Sequence, residues 1–138
     1  TGYKDPDPLV RKDFPGGWKE DAVSAFTAAG RTPKQNEIFT HVKTLATWRK
    51  TKPVVQSGKL MQFVPSEGIY VYFRYNANES VMVVVNNNES ESVVKTSRYA
   101  ERMNGFTKAR NVLTGETLSS VDNFTIPAKT ALVLELQK

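Results

Sequence analysis

The sequence predicts a mainly β fold, an antiparallel β-sandwich preceded by a loop and one α-helix, and three observations carry that expectation. From Lys59 onward apolar residues alternate with a period of two, the spacing of half-buried strands. The alternation breaks at Pro65 to Gly68, Asn76 to Asn78, Asn86 to Asn88, Thr114 to Glu116 and Pro127 to Lys129, all clusters of turn-forming residues. Ahead of Pro53 the period is helical instead, with Ile38, Val42, Leu45 and the pair Trp48/Arg49 along one stripe. Several short strands at regular spacing in about 85 residues fit a two-sheet sandwich.

Residues 1 to 31 read as loop with one short helical turn around Glu20 to Phe26, because Pro6, Pro8, Pro15, Gly16 and Gly17 forbid longer regular structure. A helix start follows. Thr32 is a natural N-cap, Pro33 suits the first helical position, and Gln35 completes the capping-box pattern. The helix ends before Pro53. Strands are expected at 59 to 64, 69 to 75, 80 to 86, 92 to 96, 110 to 113, 117 to 119, 123 to 126 and 130 to 136, with an irregular or helical insert near Tyr99 to Met103. A boundary falls at Lys52/Pro53, giving segments 1–52 and 53–138. One helix and a loop cannot bury the stripe of Ile38, Val42 and Leu45 by themselves, so the first segment is expected to be the tail of a further domain. A sandwich of the second segment's size buries roughly 60 to 65% of its unfolded surface, which suffices alone but improves on docking.

Charge and composition narrow the function classes. The chain has 138 residues and a net charge of +5. Residues 1 to 52 carry ten Lys/Arg against six Asp/Glu, and residues 53 to 138 nine against eight. Four cations of the first segment, Lys43, Arg49, Lys50 and Lys52, fall at the end of the predicted helix, where positive charge suits the helix dipole. A solvated helix end is therefore favoured over a phosphate-binding stripe, and no nucleic-acid partner is expected. There is no apolar run of about 18 residues and no basic-then-apolar leader within the chain, so no membrane partner is expected. A leader further upstream remains open. Without cysteine, and with His41 as the sole histidine, no disulfide, thiol nucleophile, metal site or other cofactor is expected. His41 lies between Ile38 and Leu45 at helical spacing, and is expected to pack on or beside the buried face.

Two constellations stand out. Asp7, Pro8 and Arg11 form a D-P-x-x-R spacing that runs on into Asp13-Phe14-Pro15-Gly16-Gly17-Trp18. Such a carboxylate and guanidinium can receive several sugar hydroxyls at once, or can simply pair and close the loop. Tyr70, Tyr72 and Arg74 share one face of a strand whose other face carries Ile69, Val71, Phe73 and Tyr75. The two exposed-face tyrosines could stack on sugar rings or cover a docking surface, and the docking role is favoured. Asp5, Asp7 and Asp13 sit on a loop with nothing to fix a pair of glycosidase carboxylates, so no catalytic residue is expected. Sequons at Asn78, Asn88 and Asn123 are read as chance.

Taken together, Asp7-Pro8-x-x-Arg11, the Asp13 to Trp18 run, Leu45-Ala46-Thr47-Trp48-Arg49-Lys50, and Pro53-Val54-Val55-Gln56-Ser57-Gly58-Lys59-Leu60 resemble the C-terminal third of α-amylase family glycoside hydrolases, most nearly bacterial cyclomaltodextrinases and neopullulanases. The resemblance implies that residues 1 to 31 follow the eighth strand of a (β/α)8 barrel, that 32 to 52 form its eighth helix, and that 53 to 138 form the sandwich called domain C. It implies that Asp7 and Arg11 help hold a donor-side glucosyl unit on the barrel rim. The family's catalytic carboxylates lie on earlier strands, so this chain is expected to be inactive alone, whereas its parent would act on cyclodextrins, maltooligosaccharides or pullulan. Expected partners are the parent's catalytic barrel and an α-glucan oligosaccharide, in a periplasmic or secreted bacterial setting. Lys12-Asp13 and the Pro-Gly-Gly turn depart from the bulky apolar pair of many relatives. The alternative is a carbohydrate-binding sandwich with Tyr70 and Tyr72 as its stacking platform.

Overall fold

The computed structural model describes Arg11 and residues 13–138. The chain divides into two compact units, Thr1–Val42 and Lys43–Lys138.

In the first unit a loop is locked by one carboxylate. Asp21 Oδ2 accepts hydrogen bonds from the backbone N–H groups of Gly16, at 2.7 Å, and Trp18, at 3.1 Å. The Ala25 N–H donates to the Pro15 carbonyl at 2.9 Å, and the Phe14 and Phe26 rings meet with centroids 4.9 Å apart. Because Asp21 and Ala25 bond across the loop, the helical turn expected at Glu20 to Phe26 does not form. A single 3-10 turn follows instead, at Ala28–Gly30.

Helix α1 spans Pro33–Lys50. Its start is the capping box that the sequence predicts: the Gln35 N–H donates to Thr32 Oγ1 at 3.3 Å, and the Thr32 N–H to Gln35 Oε1 at 2.8 Å. Arg31 braces that start, donating to the Ala25 carbonyl at 2.7 Å and to Asn36 Oδ1 at 2.8 Å, with its guanidinium 3.8 Å from the centre of the Phe39 ring. No residue of α1 is buried. His41 is accordingly exposed rather than packed, because the stripe it borders has no cover among the described residues. Ile38 and Val42 are more than half exposed, at 55% and 58%.

In the second unit the end of α1 is followed by α2, Pro53–Ser57, a short helix absent from the sequence-based expectation. Pro53 occupies its first turn, and Gly58 ends it by donating to the Val54 carbonyl at 3.1 Å. Any side chain at Gly58 would meet that carbonyl oxygen at 2.2 Å. Eight strands follow: β1 (Lys59–Gln62), β2 (Ile69–Tyr75), β3 (Ser80–Asn86), β4 (Ser92–Lys95), β5 (Lys108–Asn111), β6 (Thr117–Leu118), β7 (Asn123–Ile126) and β8 (Ala131–Gln137). A 3-10 turn at Thr96–Tyr99 and the short helix α3, Ala100–Met103, lie between β4 and β5. The strands form a six-stranded sheet in the order β1-β2-β3-β8-β5-β6 and a two-stranded sheet of β4 and β7, all pairs antiparallel.

β1 and β5 depart from the period-two reading by two residues at an end, and β4, β6 and β8 by one. β1 stops at Gln62 because Pro65 cannot donate to a ladder, although the Phe63 N–H still reaches the Val71 carbonyl at 3.0 Å. β5 begins at Lys108 and ends at Asn111, where Asn111 Oδ1 accepts from the Leu113 N–H at 2.9 Å and turns the chain out of the strand. The β1–β2 connection closes on a reciprocal Ser66/Ile69 pair with Glu67 (φ 52°) and Gly68 (φ 74°) between them. That is the two-residue turn whose twist matches antiparallel strands, and it demands left-handed backbone at both positions.

One face of the large sheet and the small sheet enclose the core. Phe73, Met82, Val84 and Leu134 are fully buried against Val94, Phe124 and Ile126, with Tyr99 and Met103 packed into the same cluster. Phe63, Phe73 and Tyr99 form a ring cluster, with centroids 4.9 Å apart for Phe63–Tyr99 and 5.9 Å for Phe63–Phe73. Asn86 is the polar rivet of the sandwich, 1% exposed. Its Nδ2 faces the carbonyls of Pro127 (2.9 Å), Ser90 (3.0 Å) and Ile126 (3.2 Å), and its Oδ1 accepts from the Asn88 N–H. The end of β3 is thereby tied to β7 with its buried polar atoms satisfied.

Candidate functional site

The outer face of the six-stranded sheet is set by register. Tyr70 stands opposite Val85, Tyr72 opposite Val83 and Gln62, and Val83 opposite Val133. The alternation that sends Val71 and Phe73 inward therefore sends Tyr70, Tyr72 and Arg74 outward, as the sequence predicts. Both tyrosines are half-buried. Their ring centroids are 5.7 Å apart with planes tilted by 37°, and the Tyr70 hydroxyl donates to Gln62 Oε1 at 2.9 Å. Arg74 is turned toward α2, donating to the Val55 carbonyl at 3.1 Å.

At the other end of this face lies an ionic cluster that sequence reasoning missed. Glu135 Oε1 accepts from Trp48 Nε1–H at 2.8 Å and lies 2.8 Å from Lys52 Nζ, while Oε2 accepts from Arg110 Nη1 at 3.1 Å. Lys52 also faces Glu79 at 3.4 Å. The Glu135 side chain is only 15% exposed. Burial by itself would push its carboxyl up, but the hydrogen bonds from Lys52, Trp48 and Arg110 outweigh it and hold the group below the ordinary glutamate range. The hydrogen bond to Glu135 holds the Lys52 ammonium above its usual value, against the opposing effect of burial. Trp48 and Lys52 thus fasten the end of α1 and the chain leading into α2 to the sheet. The sequence signal was slight: Glu135 is the only charged residue in the apolar run of β8.

Of the candidate sugar-binding pair, Arg11 is exposed, and Asp7 lies outside the described residues. Asp13 to Trp18 form the Asp21-locked loop, with Phe14 and Trp18 exposed at 56% and 65%. Among the described residues no helix is long and apolar enough to cross a membrane.

A six-stranded and a two-stranded antiparallel sheet around one apolar core, preceded in the chain by a capped helix, define a β-sandwich domain. The profile of the cyclo-malto-dextrinase C-terminal domain family matches residues 60–135, more than half of the chain, and the chain belongs to that family. Among solved structures, the α-amylase of Geobacillus thermoleovorans, crystallised with acarbose, superposes with a TM-score of 0.61 at 18% identity, covering 74% of this chain and 23% of that one. AmyP, crystallised with maltotriose, gives a TM-score of 0.64 at 20% identity over 77% of this chain and 22% of its own. The trehalose-6-phosphate hydrolase of Bacillus licheniformis gives 0.61 at 23% identity over 73% and 18%. At these identities the likeness is one of fold. The chain spans about a fifth of the length of each of these enzymes.

Proposed function

We propose that this chain is the C-terminal, non-catalytic portion of an α-glucan hydrolase of the cyclomaltodextrinase, neopullulanase or α-amylase type. Residues 1–52 then complete a catalytic (β/α)8 barrel, and residues 53–138 are the sandwich that packs on that barrel and stabilises it. The observation that carries this reading is α1. An 18-residue helix without one buried residue, showing Ile38 and Val42 more than half exposed, is an element built to be covered. A barrel is the cover that the family membership supports. Asp7 and Arg11 are assigned to a donor-side glucosyl unit, on the strength of the resemblance of the D-P-x-x-R loop.

Two measurements test the reading. The 138-residue chain alone is expected to release no reducing sugar from maltooligosaccharides or cyclodextrins, whereas the parent polypeptide is expected to hydrolyse them. In that parent, Arg11→Ala is expected to lower kcat/KM for maltooligosaccharides by roughly 10- to 100-fold, the worth of one charge-assisted hydrogen bond. Turnover by the isolated chain, or an Arg11→Ala parent as efficient as wild type, would refute the corresponding part.

A second reading makes the Tyr70/Tyr72 pair an α-glucan stacking platform in its own right, favoured by two adjacent rings on one outer face. Titration calorimetry with maltoheptaose is expected to show millimolar or tighter binding that Tyr72→Ala abolishes. Absence of heat at saturating sugar would leave the tyrosines to docking.

A further inference from the structure

The turn between α3 and β5 holds a reactive pair. Asn104 is the only asparagine of the chain followed by glycine. It ends α3 with φ −57° and ψ 126°, Gly105 follows at φ 87°, and the Phe106 N–H donates to the Met103 carbonyl at 3.1 Å. These values make a type II turn with Asn104 and Gly105 at its two central positions. Both residues are exposed, and a Cβ placed on Gly105 would find nothing within 4 Å. No hydrogen bond among the described residues engages the Gly105 N–H.

We propose that Asn104 is a site of spontaneous covalent modification in the folded protein. The Gly105 backbone nitrogen attacks the Asn104 side-chain carbonyl carbon, forming a C–N bond while the bond to the side-chain nitrogen breaks. The Gly105 amide proton is relayed through water to the side-chain nitrogen, which leaves as ammonia, and the resulting succinimide is opened by water to isoaspartate or aspartate. Water is the only co-reactant. The type II turn holds the Gly105 nitrogen away from the side chain, and attack follows a flip of the central peptide out of that turn, by rotation about the Asn104 Cα–C bond, that brings the nitrogen round to the side-chain carbonyl. Glycine allows this flip, because it tolerates φ of either sign and has no side chain to sweep. The open space around Gly105 leaves the path clear.

Other asparagines lack this combination. Asn86 is buried with its amide bonded to carbonyls, Asn88 donates to the Glu67 carbonyl and Ser92 Oγ, and neither precedes glycine. The product places a carboxylate in a cleft that Asn104 lines together with Glu101, Arg102 and Lys138. In its isoaspartate form it also lengthens the backbone by one methylene where the chain enters β5.

The test is incubation of the folded 138-residue chain in neutral and mildly alkaline buffer, with peptide mapping and isoaspartyl methyltransferase labelling over time. Circular dichroism confirms that the fold persists. A synthetic peptide of residues 98–110 serves as the unstructured reference. The expected result is a mass gain equal to the exchange of NH2 for OH, confined to the Asn104 peptide, faster at higher pH and absent from Asn104→Gln. If the folded chain keeps Asn104 intact over the period in which the free peptide converts, the turn protects the site and the proposal fails. Modification that appears first at another asparagine overturns it equally.

Discussion

Glu135→Ala is expected to destabilise the second unit by about 3 kcal/mol, because it strips the shared acceptor from three donors at once. Trp48, Lys52 and Arg110 all converge on this carboxylate. Lys52 and Arg110 are 28% and 45% exposed and regain part of their hydration once released, which holds the loss to the lower end for a broken buried pair. Glu135→Gln, which keeps an acceptor for the indole but no charge, is expected to lose less. Chemical denaturation of the three proteins gives the ranking, and an alanine variant within about 0.5 kcal/mol of wild type would sink the idea, since that is the range of neutral surface changes.

The pH dependence of the same cluster has a definite sign. The native carboxyl of Glu135 is held below its unfolded value, so its contribution is fully present above the ordinary glutamate value of about 4.3 and is lost as pH falls through the depressed native value. Lys52 is raised, so its contribution is present below the ordinary lysine value of about 10.4 and is lost as pH rises through the native one. Denaturation midpoints measured down the acid limb should fall less steeply in Glu135→Gln than in wild type.

Phe73→Ala is expected to cost about 3–5 kcal/mol, the range for emptying a fully buried aromatic site. Phe73 is 0% exposed, faces Phe63 at 5.9 Å and Tyr99 at 6.4 Å between ring centroids, and stands in register with Met61 and Met82. Its neighbours come from both sheets and from the Thr96–Tyr99 turn, so collapse into the void would require separate elements to move together. A loss of that size is a large share of the stability of a domain this small. Phe73→Leu, which refills most of the volume, separates lost packing from general disruption by retaining most of the stability. A drop below about 1.5 kcal/mol for alanine would show that the site relaxes freely.

Much of the fold was legible because its signals are local. The alternation in Ile69–Tyr75 and Ser80–Asn86 placed β2 and β3 at their observed ends, and the Thr32/Gln35 box started α1 where it starts. Turn residues marked most strand ends because Pro, Gly and Asn bias the chain over three or four bonds. The cyclo-malto-dextrinase C-terminal domain match over residues 60–135 covers the stretch where this patterning is strongest.

What the tertiary structure alone decided is which polar groups meet. Apart from the apolar run around Glu135, little local distinguishes Asp21 or Glu135 from the other carboxylates; each matters because folding delivers donors to it, two loop amides for one and groups from α1, the α1–α2 link and β5 for the other. The exposure of His41 and of the stripe beside it likewise depends on which surface covers a helix, a property of the assembled molecule rather than of helical period. The sequence by itself determined period, punctuation and family, since these act through the backbone of a few neighbouring residues. The ion pairs, the inserted α2 and the end of β5 at Asn111 depend on contacts between distant segments, whose energies exist only once the chain has closed.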